Sequence, residues 1–92
     1  MSEAPIARTV TIVNERGLHA RAAAKLVQTA GRFQARVTVA RGGEEVGAGS
    51  IMGLLMLAAG PGSDVAISAT GADAAEAMAA IVKLIEAGFG EE

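Results

Sequence analysis

Three stretches of this chain alternate apolar and polar residues with a period of two, and that pattern limits the fold more than any other feature. Val10 and Ile12 stand out within Arg8–Val13; Ala35, Val37 and Val39 alternate with Gln34, Arg36 and Thr38 within Phe33–Ala40; Val65, Ile67 and Ala69 alternate with Ala66, Ser68 and Thr70. Period two places successive side chains on opposite faces of a strand, so each stretch reads as half-buried. A sheet built from such strands is covered on one face only. Gly42-Gly43 is a hairpin signal after which Glu44–Ala48 returns as a short strand weakened by Gly47.

Between these strands the period changes to that of a helix. Ala20–Ala30 is rich in helix formers, repeats Ala23, Leu26, Val27 and Ala30 on one face, and meets Gly31 as a stop. Ser50 is an N-cap for a helix of about two turns, some nine residues, before Gly60-Pro61-Gly62. Asp73–Ala87 reads as the last helix, closed by Gly88, with Phe89 folding back on Leu84. The order β-α-β-β-α-β-α, with a right-handed crossover, predicts an open-faced α/β sandwich. At 92 residues, 51% of them hydrophobic, the chain has the size of one domain over 1–92, with residues 1–7 expected to fray.

Composition removes whole classes of function. There is no cysteine and a single histidine, so neither disulfides nor a metal cluster is expected, and no Gly-rich loop of the Walker kind is present for nucleotide. A formal charge of −2, with two Phe and no Tyr or Trp, provides neither basic face nor stacking platform for nucleic acid. The apolar runs near Ile51–Ala59 and Met78–Ile85 are too short to span a bilayer, and Met1-Ser2-Glu3-Ala4-Pro5, without a basic region followed by an apolar one, is not expected to act as a leader. Protein partners are the expectation, with no cofactor, no membrane and a monomeric state.

The histidine sits at the junction of the first strand and the first helix, at or near the N-cap. Helix starts ordinarily attract acids, since the macrodipole puts about half a positive charge there. Here the first turn has no acid and carries Arg21, with Lys25 one turn on. The last helix follows the rule, because Asp73-Ala74-Ala75-Glu76 reads as a capping box and Lys83 lies towards the far end. One helix obeying the preference while another inverts it points to an external anion that completes the site, phosphate above all. The helix N-terminus also favours neutral imidazole, with a nitrogen lone pair able to attack phosphorus. Once phosphorylated, the ring carries an anion that the first-turn amides at Ala20 and Arg21, and the Arg21 guanidinium, can hold.

Gly17-Leu18-His19-Ala20-Arg21-Ala22 resembles the phosphohistidine motif of the HPr family, the histidine-containing phosphocarrier proteins of the bacterial phosphoenolpyruvate-dependent phosphotransferase system. Ser50-Ile51-Met52-Gly53-Leu54 resembles that family's regulatory serine and the short helix it caps. The two blocks have a family-like separation, and the resemblance runs from about Arg8 to Phe89. Ala22 stands where the commonest family pattern has proline; no chemical group is lost by the change.

The resemblance implies a four-stranded antiparallel sheet of order 1-4-2-3 with three helices on one face. It implies a cytoplasmic bacterial carrier that takes phosphate on His19 from enzyme I and gives it to a histidine of an enzyme IIA domain, in sugar uptake or in the nitrogen-related branch. Such a protein is a stoichiometric intermediate and not a stand-alone enzyme. In many bacteria a dedicated serine kinase/phosphorylase acts on the residue corresponding to Ser50. The helix after Ser50 is apolar on nearly every face, so part of it is expected to dock partners, with Met52 and Leu55 as the contact residues. The alternative is a non-catalytic regulatory protein switched at Ser50, in which His19 is incidental.

Overall fold

The computed structural model describes residues 4–91 and contains β1 (Ile6–Thr11), α1 (Ala20–Ala30), β2 (Arg36–Arg41), β3 (Glu44–Gly47), α2 (Ile51–Met56), β4 (Asp64–Thr70) and α3 (Ala74–Glu86), followed by a 3-10 turn at Gly88–Gly90. The four strands make one antiparallel sheet in the order β1-β4-β2-β3. Because β4 runs antiparallel to both neighbours, β1 and β2 are parallel and α1 crosses between them.

The period-two pattern decides which face is covered. Val39 pairs with Ile67 and Val10 with Val65, and all four side chains are buried, whereas Asp64 and Ala66 are exposed. A slip of one residue would turn this whole apolar set to water, so the register is held by burial. Leu26 of α1, Leu54 of α2 and Ile81 and Ile85 of α3 complete the core with Ile12 and Phe89, all at 1% exposure or less. Each such side chain contributes about 1.5–3 kcal/mol through burial.

Several local readings change in the folded chain. Strand β1 starts earlier and ends earlier than Arg8–Val13; Ile6 and Ala7 are paired with Ala69 and Ser68, while residues 1–3 lie outside the described residues. Strand β2 begins at Arg36, since Phe33 is still held in a turn by its N–H to the Ala30 carbonyl, at 3.2 Å. Gly31 ends α1 with φ −67°, without the left-handed turn that glycine permits.

Helix α2 has six residues, not nine. Its end tightens through N–H bonds from Leu57 to Leu54 O (3.2 Å) and from Ala58 to Leu55 O (3.1 Å), and Ala58 then takes φ +52°. That reversal brings the Ala59 carbonyl to the Leu18 N–H, at 2.8 Å. Arg41 Nη1 satisfies the Leu57 carbonyl at 3.0 Å.

Asp73 precedes α3 but does not form the expected capping box. Its backbone (φ −107°, ψ 28°) is not extended, and its carboxylate accepts instead from the amides of Gln34 and Ala35, both at 2.8 Å. The acid therefore ties the start of α3 to the entry of β2. Gly88 does close α3, with φ +63°, and Phe89 turns into the core.

Candidate functional site

The loop before α1 is held from both sides. Gly17 has φ +66°, and a Cβ there would lie 2.6 Å from the Ala59 carbonyl oxygen, so only glycine fits against the segment after α2. The Asn14 side chain, 6% exposed, donates from Nδ2 to Gly17 O at 2.8 Å, while Gly17 N–H returns to Asn14 O at 3.1 Å. With Leu18 buried and its N–H on Ala59 O, the residue that follows has little freedom in where it begins.

That residue is His19, at the N-cap of α1 with extended backbone (φ −80°, ψ −179°). Its carbonyl accepts the N–H of Ala23 at 2.8 Å, but its side chain makes no cap bond. The first-turn amides of α1 have no intrahelical acceptor, and the turn contains no acid. Arg21 lies exposed on the same turn, and its guanidinium has no partner among the described residues. Ala20 is exposed as well, which leaves the backbone open to an incoming anion. The first turn of α1 itself thus has no acid to balance Arg21.

The imidazole has a partner that local sequence does not suggest. His19 Nε2 is hydrogen-bonded to Glu91 Oε2, and Glu91 Oε1 accepts from Asn14 Nδ2 at 2.9 Å. The two side chains are 20% and 19% exposed. The Asn14 bond first, then that of His19, hold the Glu91 carboxyl below its ordinary pKa; the charges of His19 and Arg16 add to this and desolvation opposes it. The tail that carries Glu91 is pinned by Lys25, whose Nζ donates to the Phe89 carbonyl at 2.6 Å. Lys25 is thus an anchor between α1 and the tail.

Ser50 caps α2 as expected, its Oγ accepting from Gly53 N at 3.0 Å, and the residue is exposed. Behind it, Met52 and Met56 are 69% and 68% exposed and Ile51 is also exposed, whereas Leu54 and Leu57 are in the core. Leu55, paired with Met52 in the sequence reading, is half-buried and packs against the core, so Met56 presents more surface. Sequence reasoning missed Glu91 and Asn14 as members of the site, and it missed the anchoring contact of Lys25. The one available signal was an acid directly beyond the Gly88-Phe89-Gly90 turn.

Residues 6–87 match the family model for the PTS HPr component phosphorylation site. The chain is 54% identical over 84 residues to phosphocarrier protein HPr of Cupriavidus necator, covering 91% of this chain and 94% of that relative. It is 45% identical over 84 residues to phosphocarrier protein NPr of Shewanella violacea, covering 91% and 92%. Among solved structures, HPr-C-His from Thermoanaerobacter tengcongensis matches with a TM-score of 0.90 at 46% identity, over 95% of this chain and 98% of that one. Sheet order, helix placement and sequence agree along almost the whole chain, which therefore belongs to the HPr family, the phosphocarrier proteins of the phosphotransferase system.

Proposed function

We propose that His19 is the phosphoryl acceptor, receiving phosphate from a phosphorylated histidine of enzyme I and passing it to a histidine of an enzyme IIA domain. The observation that carries this reading is the uncapped head of α1: the imidazole forms no cap, no acid occupies the first turn, and Arg21 stands exposed beside it. With Nε2 turned to Glu91, Nδ1 is the ring nitrogen left to attack phosphorus in line with the departing donor. The amides at Ala20 and Arg21 and the Arg21 guanidinium then hold the phosphoryl oxygens. These groups are already in place, so little reorganisation accompanies transfer. The protein carries one phosphoryl group per cycle, needs no cofactor, and works as a monomer in the cytoplasm.

Partners dock on the exposed apolar strip of α2, with Met52 as its main contact and Leu55 at its buried edge; Ile51 and Met56 extend it. Ser50, at the head of that strip, is the site for a serine kinase/phosphorylase. The alternative of a switch protein with an incidental histidine is not favoured, since the relatives at up to 54% identity are phosphocarriers.

Phosphoenolpyruvate, enzyme I and the full chain are the reagents that test the reading. The expected result is one acid-labile phosphoryl group on wild type and none on His19→Ala. Labelling of His19→Ala at the wild-type level overturns it.

A further inference from the structure

The contact between His19 and the end of the chain has a chemical consequence of its own. Glu91 presents two carboxylate oxygens, and both accept: Oε1 faces Asn14 Nδ2 and Oε2 faces His19 Nε2. Asn14 directs its amide nitrogen at Gly17 O and Glu91 Oε1, and its own Oδ1 is buried without a partner among the described residues. A buried acceptor without a donor is unfavourable, so Asn14 is oriented by the two acceptors it serves. An ionised carboxylate only accepts, so the ring nitrogen opposite it must carry a proton. The proton of the neutral imidazole is thus held on Nε2, which leaves the Nδ1 lone pair unprotonated.

We infer that Glu91 is a positioning residue for phosphoryl transfer, fixing the Nε2–H form of His19 through a carboxylate that Asn14 and the Lys25-anchored tail hold in place. The inference rests on His19 as the phosphoryl acceptor. In the transfer, the Nδ1 lone pair forms the new phosphorus–nitrogen bond while the bond to the donor histidine breaks and the donor ring recovers its electron pair. No proton has to leave His19, because the one it holds is already on Nε2. The positive charge that the ring gains faces the Glu91 carboxylate.

Glu91→Gln separates this role from a merely structural one. A glutamine has one acceptor and one donor, so with its oxygen kept on Asn14 it offers an N–H to His19 Nε2. It then favours a ring with the proton on Nδ1, the nitrogen that must attack. Glu91→Ala removes the bias without reversing it. The expected order of phosphorylation rates by enzyme I is wild type, then Ala slower by roughly threefold to tenfold, then Gln slower still, with Glu91→Asp recovering part of the loss. Long-range proton–nitrogen NMR of the imidazole, which needs no partner, is expected to show an unprotonated Nδ1 in wild type and a raised Nδ1–H share in Glu91→Gln. If Gln equals wild type in rate and tautomer while Ala is slow, Glu91 is only a tail anchor and the inference falls. If all variants match wild type the inference also falls, but the carrier reading stands. Absence of labelling in wild type would overturn the carrier reading, and the NMR comparison would still decide the tautomer.

Discussion

The heads of α1 and α2 both start from an extended N-cap residue and are treated in opposite ways. Each N-cap residue is extended, His19 at ψ −179° and Ser50 at ψ 111°, and neither first turn contains an acid. Ser50 turns its side chain back onto Gly53 N and completes its own helix. His19 turns its side chain away, to Glu91, and leaves the amides of α1 without a side-chain acceptor. A cap that is satisfied within the helix stabilises that helix; a cap position left open beside Arg21 leaves room for an anion. The difference separates a structural terminus from a chemical one, even though both are targets for phosphate in the reading proposed above.

The comparison breaks most visibly at Arg21. Arg21→Glu puts a carboxylate on the turn that must receive phosphate, and its rate of phosphorylation by enzyme I is expected to fall by well over tenfold, against a fall of only a few-fold for Arg21→Ala. Equal rates for the two variants would mean that the guanidinium is only solvated.

A negative charge at the other helix has a different effect. Ser50→Asp keeps an acceptor at the head of α2, where the dipole tolerates it, so the thermal midpoint is expected to stay close to that of wild type. Binding to enzyme I should weaken by roughly tenfold, because the carboxylate borders the exposed strip of Met52 and Met56 and has to be desolvated there. Titration calorimetry at low and high salt measures this, and unchanged affinity would place the docking surface elsewhere.

Stability sharpens the contrast further. Ser50→Ala removes a real cap and is expected to lose about 1 kcal/mol in urea unfolding, whereas His19→Ala, with no cap bond to lose, should stay within about 0.5 kcal/mol. A larger loss for His19→Ala would show that the tail contact matters more to folding than the cap.

The smallest expected effect concerns pH. Glu91 is held below its ordinary pKa of 4.5 in the folded chain. Its contribution is therefore complete above that value and is lost as pH falls through the lowered one. NMR chemical shifts of Asn14 and Gly90 are expected to change together in that acid range, and in Glu91→Gln the same transition should be missing.

What the sequence determined by itself was everything that depends on near neighbours. The bounds of α1, the burial of Val39, Ile67 and Val65, the Ser50 cap and the placement of His19 at a helix head all follow from periodicities and capping rules acting over a few residues. Arg21 was legible for the same reason, as a charge at odds with its own helix. Tertiary structure decided the rest. Helix α2 stops after six residues because the chain has to reverse at Ala58 and meet Leu18, and Asp73 abandons its own helix because the amides of Gln34 and Ala35 come within reach only once β2 is in the sheet. Glu91 lies 72 residues from His19 along the chain. No local preference joins them; only the packing of α3 under the sheet, the turn at Phe89 and the Lys25 anchor place that carboxylate on the imidazole.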